Sequence, residues 1–173
     1  MIDYIDEHLT TMTYETSSEL AVIYASRMDE TYRNLFFEKS SDKFLKELRY
    51  LKDETLYKIV WAMVKSRSVL IAAESARWTA VKAAVSERAA EISPKVMSDL
   101  LVLSTMEAVA SEAENPRDLF SQVEGELMKK MKLMALDDLI NIMWTALKID
   151  RGTKPFFERL ERDRRQRQEG RRH

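Results

Sequence analysis

"LYKIVWAMVK" (Leu56–Lys65) returns eighty-three residues later as "LINIMWTALK" (Leu139–Lys148), with Leu, Ile, Trp and Lys at offsets 0, 3, 5 and 9 in both. A small residue, Ala62 or Thr145, follows each tryptophan. At about 100° per residue, Leu56, Ile59, Val60, Trp61, Met63 and Val64 cover about 200° of a helix, and Lys65 falls near the opposite side. A helix resting on one core needs an apolar arc only a little over about 100° wide. The wider arc predicts contact on two sides, with a partner helix and with the neighbouring unit. A helix central to a compact bundle satisfies the same condition.

The surrounding chain supports helices. Glycine and proline number three each in 173 residues, while 45% of the residues are hydrophobic. So few breakers point to an all-α chain long enough to bury a sizeable core. Cysteine is absent, which excludes disulfides, thiolate zinc sites and a cysteine nucleophile. No apolar run approaches the roughly 20 residues that span a bilayer, so membrane insertion is not expected. The acidic start, "MIDYIDEH", carries neither a secretory signal nor an Arg-rich presequence.

Capping chemistry divides the chain. "TSSE" (Thr16–Glu19) fits a capping box, Ser93-Pro94 and Asn115-Pro116 fit an N-cap followed by proline at the first helical position, and Asp53 is a further cap. Ile92 and Met97 are spaced to staple the Ser93 cap. These starts predict helix pairs near 3–12 with 18–28, 42–51 with 54–65, 77–90 with 94–110, and 116–132 with 136–149. A last helix begins at Phe156. Leu20, Leu56, Met97 and Leu139 then occupy equivalent positions, 36, 41 and 42 residues apart. A period near 40 with two helices per unit predicts an α-solenoid, a right-handed or superhelical stack of about four helix–turn–helix repeats. The expected division is a repeat domain over 1–155 and a basic C-terminal helix over 156–173. Leu56, Trp61, Leu139 and Trp144 are the expected packing positions between repeats.

"DDLINIMWTALKI" (Asp137–Ile149) and "LYKIVWAMVK" resemble the repeat helix of octotricopeptide proteins and of the related FAST-kinase-like and RAP proteins. "RAAEISPKVMSDLLVLSTM" (Arg88–Met106) is similar to a further copy, with Val102 at the tryptophan position, and the Leu20–Met28 unit has Ala25 there. The resemblance implies an organellar, chiefly mitochondrial, protein that binds RNA in transcript maturation or within a mitochondrial ribosome.

Charge adds a partner expectation. Residues 159–173 hold seven Arg against three acidic residues, whereas residues 1–158 hold 21 basic and 26 acidic side chains. Arg159, Arg162, Arg164, Arg165, Arg167, Arg171 and Arg172 are the candidate contacts to RNA phosphates, since arginine bonds phosphate bidentately and stacks on bases. Pairs such as Glu158–Arg162 and Glu161–Arg165 would support the helix that carries them. "KKMK" (Lys129–Lys132) closes a helix where cations complement the dipole. Met128, Met131, Met134 and Met143 are core filling or an adaptable protein-binding surface.

Catalysis is not expected. Only His8 and His173 occur, Ile5 stands where a Glu-x-x-His pair would need its acid, and Gly125, Gly152 and Gly170 form no phosphate loop. No metal, cofactor or small-molecule substrate is implied. The expected partners are RNA, either ribosomal RNA or an organellar transcript, and protein neighbours in a larger assembly. The rival expectation is a protein–protein scaffold or accessory subunit of an organellar complex without RNA, which the acidic body favours.

Overall fold

The computed structural model describes residues 8–9, 11–66, 71–110 and 117–169, and the chain divides into two compact units, Met1–Glu87 and Arg88–His173. Among the described residues all regular structure is helical, as the composition predicts, and no helix is long and apolar enough to cross a membrane.

The first unit contains α1 (Tyr14–Arg27), α2 (Glu30–Glu47), a 3-10 turn at Leu48–Tyr50, α3 (Asp53–Ser66) and α4 (Ile71–Glu87). The N-cap of α1 is Thr13, whose hydroxyl accepts from the Thr16 amide at 3.2 Å. The expected cap at Thr16 is therefore corrected by three residues. Thr16 is within the first turn, with its own hydroxyl 3.1 Å from that of Thr13. Helix α2 begins at Glu30, twelve residues before the expected Asp42, because the Asp29 carboxylate accepts from the Tyr32 amide at 3.1 Å. Asp53 is the first helical residue of α3 rather than its cap.

Helix α1 packs along α3, and α2 supports both. Tyr24 stacks on Phe36 at 4.4 Å, and Phe36 meets Phe37 edge-on at 5.3 Å. Phe36, Phe37, Phe44, Leu48, Leu56, Ile59 and Val60 are almost completely buried. Each such side chain stabilises the unit by about 1.5–3 kcal/mol on burial. Lys58 of α3 ties the rim, donating to Glu19 of α1 and to Glu54, both at 2.6 Å.

The second unit contains α5 (Pro94–Ala110), α6 (Arg117–Lys130), a 3-10 turn at Met131–Leu133, α7 (Leu136–Lys148) and α8 (Lys154–Glu169). Ser93 caps α5 as expected, with its hydroxyl 3.4 Å from the Val96 amide, and the staple residues Ile92 and Met97 are both buried. The expected Asn115 cap lies outside the described residues. Helix α7 packs along α5, and the Ser98 hydroxyl reaches the Asp138 carbonyl at 3.3 Å. Asp138 closes the start of α7 by accepting from the Ala135 amide at 3.3 Å. Asp150 at φ 53° and Gly152 at φ 108° turn the chain from α7 into α8. Phe156 of α8 meets Phe120 edge-on at 5.2 Å.

The two units share a plan. The residues before α1, α3, α5 and α7 are Thr13, Lys52, Ser93 and Ala135, at intervals of 39, 41 and 42. In each unit a helix bearing the quoted Trp pattern lies against the corresponding helix one interval earlier.

Candidate binding surfaces

Inter-helix turns leave carbonyls without intrahelical donors. A cation from the second helix after the turn fills this role three times. Lys43 of α2 donates to the carbonyls of Leu9 and Met12, the latter at 2.7 Å, and to the Ser17 hydroxyl at 3.2 Å. Burial of Lys43 pushes its pKa below the ordinary lysine range. Lys130 at the end of α6 donates to the carbonyls of Ala90, at 2.8 Å, and Ile92. Arg167 of α8 donates to the carbonyls of Met131 at 2.9 Å, Lys132 at 3.2 Å, and Met134. Lys130 thus completes a turn about forty residues back, in addition to standing at the end of its own helix. Sequence reading passed over all three as clamps, since no local pattern marks a partner so far away.

This changes the reading of the arginines. Phe156, Leu160, Asp163 and Arg167 follow one another on the inward face of α8 at spacings of 4, 3 and 4, and the first three are buried. Arg167 is used on backbone carbonyls, and Arg159 lies 3.5 Å from the buried Asp163. Arg164 and Arg165 share Glu161, at 3.5 and 2.9 Å. The hydrogen bond from Arg165 chiefly holds the Glu161 carboxyl below the ordinary glutamate range. The expected Glu158–Arg162 pair is replaced by Lys154–Glu158 at 3.8 Å. Arg162 is exposed and has no ion pair among the described residues. Arg171 and Arg172 lie outside the described residues. Toward the C-terminal end of α8 the open basic surface is therefore formed by Arg162, Arg164 and Arg165, with Glu161 among them.

The second surface is apolar. Leu56 and Leu139 are buried and Trp61 is half-buried, whereas Trp144 leaves 46% of its surface open. Ile140 and Leu147, four residues before and three after, are 45% and 63% exposed. Helix α7 thus buries Leu139, Ile142 and Ala146 on one side and presents Ile140, Trp144 and Leu147 on the other. The two-sided apolar arc is present, but the expected packing of Trp144 is not complete. Lys148 places its ammonium over the face of the Trp144 ring, 4.4 Å from the centroid, in a cation–π contact. Met131 and Met134 fill the core, while Met128 and Met143 are half-buried.

Among the described residues no group of three or more His, Cys, Asp or Glu is placed to hold a metal ion. No protein-family model matches the chain, and neither a curated protein nor a solved structure matches it.

Proposed function

We propose that the chain is a non-catalytic helical-repeat scaffold that holds protein neighbours, its hairpins following one another as a solenoid-type array. The observation that carries this reading is the exposed Ile140–Trp144–Leu147 face of α7. Contiguous apolar surface of this kind marks interaction sites. Two of the expected RNA-binding arginines, Arg159 and Arg167, are engaged within the fold, and Arg164 and Arg165 share the Glu161 carboxylate at the surface, which lowers the charge offered to phosphate.

A second reading rests on Arg162, Arg164 and Arg165 and on the resemblance of the repeat helices. In it the protein is a component of an organellar ribonucleoprotein, such as a mitochondrial ribosomal subunit or an RNA-maturation factor. The experiment is purification of the tagged chain from native extract with and without nuclease, alongside the Leu147→Glu variant. Partners that survive nuclease and are lost with Leu147→Glu support the scaffold. Partners that leave with nuclease favour the ribonucleoprotein. That reading further requires labelled single-stranded RNA to bind the purified chain with a salt dependence that falls when Arg162, Arg164 and Arg165 become glutamine.

A further inference from the structure

The outward face of α7 has the geometry of a helix interface. Leu136, Ile140, Met143, Trp144 and Leu147 fall within an arc of about 100°, the width with which an amphipathic helix packs on a core. Leu133, 76% exposed in the turn before α7, extends the face. The charges at its ends are ordered. Asp137, in the first turn, and Lys148, in the last, stand on the same flank of this arc at about 100° per residue. They are about 16 Å apart along the helix axis, too far to pair with each other.

A two-fold rotation that lays α7 against α7 of a second copy in antiparallel fashion brings like flank to like flank and reverses the ends. Asp137 of each copy then meets Lys148 of the other, at both ends of the contact. Trp144 stands close to the two-fold axis, between Ile140 and Leu147. A parallel two-fold pairing would carry the charged flank to opposite sides of the contact, leaving Asp137 and Lys148 of each copy without a complement. We propose that the chain self-associates through this antiparallel α7–α7 contact. The proposal deepens the scaffold reading and rests on the same face of α7. It is an isologous interface, in which one patch is complementary to itself.

Asp137 and Lys148 also complement the dipole of their own helix, so the test must separate the two roles. Sedimentation velocity of the full chain from roughly 1 to 100 µM should show a dimer with a dissociation constant in the micromolar range, as suits a small interface. Leu147→Glu should raise that constant by about 100-fold or more with an unchanged circular dichroism spectrum. Asp137→Lys and Lys148→Asp should each raise it by about tenfold. An equimolar mixture of these two variants should recover wild-type association, because each copy then offers the charge that the other lacks.

A chain that is monomeric throughout the range overturns the proposal. So does a dimer insensitive to Leu147→Glu, or a mixture that fails to recover. A monomeric chain whose nuclease-resistant partners are still lost with Leu147→Glu sinks self-association alone and leaves the scaffold standing. Partners indifferent to Leu147→Glu remove the scaffold reading itself.

Discussion

The Lys130 ammonium sits 2.8 Å from the carbonyl of Ala90, forty residues earlier in the chain, and bonds the carbonyl of Ile92 as well. The side chain is almost wholly buried, and it is the donor for a turn whose own backbone has none to spare. Removing it leaves the buried Ile92 carbonyl unsatisfied and takes the part-buried bond to Ala90 with it. Lys130→Met should lower unfolding free energy by about 2–3 kcal/mol. Lys129→Met, at a neighbouring position where the side chain is 73% exposed and pairs with Glu126, should change it by less than about 0.5 kcal/mol. Urea denaturation of both variants measures the difference.

Arg167 should behave the same way within the arginine-rich helix. Its guanidinium reaches three carbonyls of the Met131–Met134 turn, a fork that a point-charge ammonium cannot reproduce. Arg167→Lys should lose about 1 kcal/mol and Arg167→Met about 2 kcal/mol. Amide exchange at the 131–135 turn should quicken in the same order. Arg165→Gln should leave both readings close to wild type, since its pair with Glu161 is exposed.

Gly152 holds φ 108°, and a Cβ there would lie 2.8 Å from Phe157 Cε2 and 3.2 Å from Cδ1 of the buried Phe156. Gly152→Ala should destabilise the second unit by about 2 kcal/mol or more, from backbone strain and displacement of these rings together. A thermal melt compared with Gly125→Ala supplies the control, because a Cβ at Gly125 meets nothing within 4 Å.

Acid should act on the rim pairs. The Lys58 hydrogen bond draws the Glu54 carboxyl below the ordinary glutamate range, and the Arg165 hydrogen bond does the same for Glu161. A carboxyl whose folded pKa lies below its unfolded value contributes stability at pH above the unfolded value. That contribution is lost as pH falls through the folded one. Carboxyl carbon NMR should therefore place both midpoints below the ordinary glutamate value. Lys58→Met should raise the Glu54 midpoint, and Arg165→Gln that of Glu161. Midpoints that stay put would remove these pairs from the acid response.

The helices that carry the Trp pattern were legible because their signals are local: an apolar arc, a Ser93-Pro94 start and acids in the first turn of α7. The helices between them were harder to read. The start of α2 went unseen since Ser40 and Ser41 occupy buried positions where periodicity expects apolar residues. Such hydroxyls are accommodated by their own helix: Ser41 donates to the Phe37 carbonyl, as Ser104 does to Leu101 at 2.7 Å. A serine of this kind reads as polar in sequence and as small in packing. The arginines of α8 were legible as charge but not as function. Whether Arg167 faces solvent or carbonyl oxygen depends on a turn 33 to 36 residues earlier. Trp144 carried the reverse error, since an aromatic amid apolar neighbours reads as core whether or not a neighbour covers it.

The three clamps also set an order of events during synthesis. The turn around Ala90 and Ile92 cannot be completed until Lys130 has emerged, and the turn from Met131 to Met134 must wait for Arg167. Each of these three turns therefore matures only when the second helix after it has begun to form. The growing chain closes behind itself in overlapping steps, and a stall between two clamps would leave one turn of bare carbonyls for a chaperone to meet.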